Sequence, residues 1–136
     1  ITGVREALAR HDLHLATDWL AVDEPEDAKV VGELLQKGKP DAIVCANDLT
    51  AAQLRRSLDR NGVRVPHDMR VVGFDDAKYA TLVGVPRTTI HQPCRDIAVT
   101  AFHALLERIA DPTLPARSLL LTPRLVVRES CGAFQN

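Results

Sequence analysis

The sequence lacks a basic excess: 17 Lys and Arg stand against 18 Asp and Glu. That excludes, for these residues as they stand, the kind of surface that duplex phosphates attract. Cysteine is scarce. Cys45, Cys94 and Cys131 are an odd count at wide spacings, two of them in apolar settings. Such a set fits reduced thiols inside a cell better than a secreted disulfide framework, which makes a cytoplasmic location the expectation. No apolar run approaches the length of a membrane span, and no signal-peptide pattern opens the chain. Nucleophile elbow, phosphate-binding glycine loop and dinucleotide fingerprint are all missing, which removes the commonest enzyme classes and their cofactors. His91 and Cys94 stand three apart in "HQPC", a spacing metals tolerate, but no second pair of ligands lies at a matching distance, so no metal is expected. Trp19, the sole tryptophan, reads as a packed residue near a sheet edge rather than a platform for a sugar.

What is present is a helix and strand alternation in 136 residues, 46% of them hydrophobic, enough for one core without staples. "ITGVREALARHDL" sets Val4, Ala7, Leu8 and His11 on one helix face. An extended piece around "LHLATDWLAV" follows. "EPEDAKVVGELLQKGK" carries acids at its start and lysine and glycine at its end, the polarity of a helix, with Ala28, Val31, Leu34 and Leu35 inward. "PDAIVCANDL" reads as a strand buried on both faces. "DLTAAQLRRSLDRNG" is a helix with Asp48 as N-cap, Ala51, Leu54 and Leu58 inside, and Gly62 as its stop. "MRVVGF" is the next buried strand, so strand, helix and strand recur at the length of one crossover unit.

The stretch from Asp75 to Arg87 reads as a long loop with one helical turn, and "TTI" as briefly extended. "QPCRDIAVTAFHALLERIADP" is the longest periodic segment, with Ile97, Ala98, Ala101, Phe102, Leu105, Leu106 and Ile109 in a wide apolar stripe ended by Asp111-Pro112. "ARSLLLTPRLVVRES" closes as two extended pieces broken at Thr122-Pro123. The expected architecture is α/β, in three layers, with a mostly parallel sheet and helices on both faces. A doubly wound domain opens with a strand, whereas here a helix comes first, so the chain reads as cut from something longer.

Open parallel sheets bind ligands at the carboxyl ends of their strands. Two such ends carry polar pairs: Asn47-Asp48 after "AIVCA" and Asp75-Asp76 after "VVGF". A carboxylate accepts two hydrogen bonds side by side and an amide both donates and accepts, a set suited to sugar hydroxyls or a heterocycle. Asp and Asn also cap helices and tighten turns, and on spacing alone both readings stand. With Asp48 taken as the cap, Asn47 and Asp75 are left as the polar anchors. Arg55, Arg56 and Arg60 make one helix flank basic, which by itself is a solvated face.

"PDAIVCANDLTA", "GVRVPHDMRVVGFDD", "TTIHQP" and "PRLVVRESC", in that order and at those distances, resemble the C-terminal half of the LacI/GalR family of bacterial transcriptional regulators. The likeness covers nearly the whole chain, and "ITGVREAL" is similar to the segment that opens that half. It implies a periplasmic-binding-protein-like type I fold, with residues 1–136 as the C-terminal lobe of a two-lobed effector sensor, without the helix-turn-helix headpiece that binds DNA. The resemblance places Asn47 and Asp75 in the effector cleft, with Gln92 where the chain crosses between lobes. It gives Ala52, Arg55, Arg56, Tyr79 and Leu82 to a homodimer surface. A cleft arginine of the family would immediately precede Ile1. A sugar is the family's usual effector, and purines also occur. One departure is Arg87, where the family commonly has Leu; an exposed arginine there either alters the crossover packing or reaches an anionic effector. The alternatives are a periplasmic sugar-binding protein of a transport system, against which the cysteines and the "VVRESC" ending argue, and a phosphoacceptor in which the paired acids, Lys78 and Thr88 resemble a receiver domain's pocket.

Overall fold

The computed structural model describes residues 2–13, 24–82 and 84–134. The extended piece expected around residues 13–22, with Trp19, falls almost wholly outside the described residues. Helix α1 spans Thr2–Ala9, with Val4 and Leu8 half-buried one turn apart. Helix α2, Ala28–Gly38, begins where Asp27 accepts hydrogen bonds from the backbone N–H groups of Lys29 (2.7 Å) and Val30 (3.4 Å). It ends on Lys39 in the left-handed region, whose N–H returns to the Leu35 carbonyl. Both ends are thus closed by the groups that helix termini leave unpaired.

Strand β1, Ala42–Val44, pairs parallel with β2, Arg70–Val72, across the crossover helix α3, Asp48–Arg60. Strand β3, Thr89–His91, pairs antiparallel with β4, Arg124–Val126. Two parallel bridges, Val72 to Thr88 and Asp75 to His91, join the ladders, so the four strands run β1, β2, β3, β4 across the molecule. The single turn α4, Tyr79–Leu82, lies in the loop after β2, as expected. The long helix α5 is Cys94–Ala110. Of the two extended pieces expected at the end of the chain, one pairs as β4, and residues 115–123 form no regular element.

The core is built from Val31 of α2, Ala51, Leu54 and Leu58 of α3, Cys45 and Val71 of the strands, and Val65 and Met69 between them. Burying each of the larger aliphatic side chains contributes about 1.5–3 kcal/mol. Helices α2 and α3 are also stitched by polar groups: Asn61 Nδ2 donates to the Ala28 carbonyl (2.8 Å) and Ser57 Oγ to the Pro25 carbonyl (2.7 Å).

Two expectations of burial fail. Strand β1 is not buried on both faces: Ile43 and Cys45 turn to the helices, but Val44, one residue out of phase, is 60% exposed. The stripe of α5 is present where periodicity predicts it, yet none of it is buried, Phe102 being 58% and Ile109 67% exposed. Periodicity encodes an apolar face but not whether its partner lies within the same stretch of chain.

Cys45 is buried, and burial pushes its thiol up to about 12, the nearby Arg87 opposing and Asp48 adding to that rise. Because the thiolate is the reactive form, Cys45 is expected to resist alkylation at neutral pH while the exposed Cys94 reacts. Mass spectrometry of iodoacetamide-treated native chain checks this. Early labelling of Cys45 contradicts the packing described.

Candidate functional site

The carboxyl ends of β1, β2 and β3 are laced together by the backbone beyond the strands. Cys45 N–H donates to the Val72 carbonyl (2.8 Å), Asp48 N–H to the Phe74 carbonyl (2.8 Å) and Asp75 N–H to the Ile90 carbonyl (2.9 Å). This brings Asn47, Asp75 and the residues after β3 to one end of the sheet.

Asn47, not Asp48, caps α3: its Oδ1 accepts from the Thr50 N–H at 2.8 Å. The sequence reading had the pair reversed. Asp48 lies one residue inside the helix and is fully buried, its Oδ2 accepting from the Ala77 N–H at 2.8 Å. Asn47 therefore keeps its amide nitrogen unbonded, with one acceptor position of Oδ1 already used. Asp75 and Asp76 both take the left-handed backbone conformation, φ 104° and 56°, a strained choice for residues other than glycine and one that recurs at ligand sites. Asp75 Oδ1 accepts from Gln92 Nε2 at 2.5 Å, joining two of the three expected site residues directly. Among the described residues, neither the second Asp75 oxygen nor the Asn47 amide nitrogen carries a hydrogen bond.

The sequence reading missed what the second acid does. Asp76 Oδ1 accepts from Arg128 Nη2 (2.7 Å), and its Oδ2 lies 2.9 Å from His91 Nδ1. Burial alone raises the Asp76 carboxyl, but the bonds from Arg128 and His91 outweigh it and hold it below its ordinary value. With a lowered folded value, this contribution to stability is present above the ordinary carboxylate range and is lost as pH falls through the lowered one. Arg128 also donates through Nη1 to the Arg87 carbonyl (2.9 Å). Below it, Thr88 and Ser130 form a buried web: Ser130 Oγ accepts from the Thr88 N–H (2.9 Å) and donates to the Val71 carbonyl (2.5 Å). The only hint in the sequence was the doubled acid itself.

Arg87 is not the exposed arginine that the departure suggested. It is 3% exposed and turned inward, Nη1 donating to the Asp48 carbonyl at 3.2 Å. Thr88 is also buried, its hydroxyl bonded to the Arg128 backbone, so it does not open on a pocket beside the paired acids. Of the expected dimer residues, Ala52 is buried within the chain, Arg55 holds Asp59 at 2.8 Å and Arg56 is exposed. The side chains of Tyr79 and Leu82 lie outside the described residues. Among the described residues no group of three or more His, Cys, Asp and Glu could hold a metal ion. A cavity of about 690 Å³ is lined by Pro66, His67, Pro86, Val127, Arg128, Glu129 and Phe134. It shares none of the strand-end residues, and the convergence of Asp75, Gln92 and Asn47 is the stronger pointer to chemistry because ligand sites need placed polar groups.

Comparison with known proteins agrees with this geometry. The model of the periplasmic binding protein-like domain matches residues 1–131. The HTH-type transcriptional repressor PurR of Vibrio parahaemolyticus is 36% identical over 134 residues, covering 96% of this chain and 40% of its own length. The chain thus spans less than half of that relative. A structure of the transcriptional regulator CelR in complex with cellobiose superimposes with a TM-score of 0.83 at 31% identity, covering 94% of this chain and 40% of the other. A LacI-family regulator of Sanguibacter keddieii gives 0.82 at 36% identity, covering 96% and 52%. With the family model matching nearly end to end and these regulators sharing its fold, the chain belongs to the periplasmic binding protein-like domain family, on the LacI/GalR side of it.

Proposed function

We propose that residues 1–136 are the C-terminal lobe of the effector-binding domain of a cytoplasmic LacI/GalR-type transcriptional regulator. The lobe holds a small-molecule effector, a sugar, against Asn47, Asp75 and Gln92. Binding favours one arrangement of the parent protein over another, and only that difference in affinity can alter DNA binding by a headpiece outside these residues. The protein works as a homodimer through the flank of α3 and α4, with Arg55, Arg56, Tyr79 and Leu82 but not Ala52, which is buried within the chain.

The observation that carries this reading is the 2.5 Å bond between Asp75 and Gln92 beside Asn47, at the carboxyl ends of adjoining strands. The cellobiose complex of the similar CelR structure supports a sugar. No helix among the described residues is long and apolar enough to cross a membrane.

The test is calorimetric titration of the full-length protein with cellobiose, glucose, ribose and sucrose, and with a free purine base as the competing class. Asp75→Asn is expected to weaken the bound sugar by about 1.5–3 kcal/mol, roughly 10- to 150-fold, the loss of a hydrogen bond to a charged group. An unchanged affinity removes Asp75 from the site.

A further inference from the structure

Two adjacent acids end β2, and each takes hold of one of two adjacent residues at the end of β3. Asp75 holds Gln92 at 2.5 Å, and Asp76 holds His91 at 2.9 Å. Asp76 then reaches a third element, since Arg128, two residues past β4, donates to its other oxygen at 2.7 Å. Residues 92–127, including the whole of α5 and β4, lie between these two attachments. Asp76 is therefore the one side chain among those described that fastens both the segment leaving the sheet and the segment returning to it.

Each Asp76 oxygen already has a partner within the protein: Oδ1 accepts from Arg128 and Oδ2 lies beside His91. Its carboxylate is 15% exposed and the Arg128 side chain 21% exposed. The Arg128 bond is charge-assisted and largely shielded from water, the condition in which such contacts fix geometry instead of fluctuating, while His91 is 37% exposed. The backbone adds to the constraint, as the Asp76 N–H donates to Thr89 Oγ1 at 3.3 Å and the Asp75 N–H to the Ile90 carbonyl at 2.9 Å. Gln92 thus meets Asp75 beside a neighbour whose two oxygens are both engaged within the protein.

We propose that Asp76 is a positioning residue for the effector site: by gripping His91 and Arg128 together, it sets how Asp75 and Gln92 are presented. The link to a ligand rests on the function proposed above, whereas the effect on Gln92 does not. The acids are adjacent and so are their partners Gln92 and His91, which makes them couple, so loss of one is felt at the other.

The experiment uses the full chain with 15N-labelled glutamine. The side-chain amide of Gln92 is assigned by its displacement in Asp75→Asn, which removes the carboxylate it donates to. Asp76→Asn is expected to displace the same resonance in the same direction while resonances of Gln36 and Gln53 stay in place. A Gln92 amide unmoved in a folded Asp76→Asn variant overturns the proposal. If that variant does not fold, Arg128→Lys, which keeps a cation but cannot reach both the Asp76 carboxylate and the Arg87 carbonyl, is expected to give a smaller displacement of the same sign. No displacement there overturns it equally. Titration with cellobiose, or whichever sugar of the panel binds, completes the test: Asp76→Asn is expected to lower affinity about 5-fold or more. A moved Gln92 with unchanged affinity overturns the role at the site. A wild-type protein that binds none of the sugars refutes the sugar reading, and the Gln92 resonance still decides for or against Asp76.

Discussion

Asp48→Ala is expected to lose about 1–3 kcal/mol of stability, a sizeable part of what a single domain has to lose. Asp48 has no exposed surface, and its carboxylate accepts the Ala77 N–H at 2.8 Å. Arg87, itself 3% exposed, is drawn to it. Burial pulls the Arg87 guanidinium below its ordinary value, attraction to Asp48 and Cys45 restores part of this, and Arg55 pushes it down further. With Asp48 removed, the Ala77 N–H loses its acceptor and the Arg87 guanidinium loses a nearby opposite charge, while its bond to the backbone carbonyl of residue 48 is kept. Each of those costs more than the lost contacts suggest, because the group left behind stays desolvated. Urea denaturation measures the effect. The double variant Asp48→Ala/Arg87→Leu removes both charges together and is expected to be less unstable than the two single losses added, because their attraction is counted in each. A single variant within about 1 kcal/mol of wild type, or a double variant as unstable as the two singles added, contradicts the coupling.

That pair also shows where sequence reasoning ran out. The positions of α2, α3 and α5 were legible because their apolar spacing and end residues are local signals, and the parallel pairing of β1 and β2 followed from the crossover length. The cap of α3 was not. Asn and Asp serve equally well as caps, and "ND" leaves a one-residue ambiguity. What resolves it is a bond to the Asp48 carboxylate from a backbone group 29 residues away, which has no local signature. Arg87 was read as exposed for the same reason, since nothing beside it in the sequence says that a carboxylate waits inside. The clamp on Asp76 spans 52 residues. Asp75, Gln92 and Asn47 could be named from strand ends and a family resemblance; which of their atoms remain open to a ligand could not.

Gly73→Ala is expected to cost about 3 kcal/mol or more and to lower the melting temperature by about 10 °C. The reason is proximity rather than backbone conformation. A methyl at this position would stand 2.1 Å from Asp48 Oδ1 and 3.2 Å from Arg87 Cδ. Neither side can give way easily. The Gly73 N–H is bonded to the Thr88 carbonyl at 2.9 Å, which fixes the strand, and Asp48 is held by Ala77 from the other direction. To admit the methyl, the carboxylate must swing from the Ala77 N–H or β2 must part from β3, and both movements displace the turn that carries Asp75 two residues on. The same substitution made in an Asp48→Ala background meets a space where the carboxylate was, so its cost there is expected to fall below about 1 kcal/mol. Thermal unfolding of the four variants in this cycle reads the difference. An equal cost of the methyl in both backgrounds would show that Asp48 is not what makes glycine necessary at the end of β2.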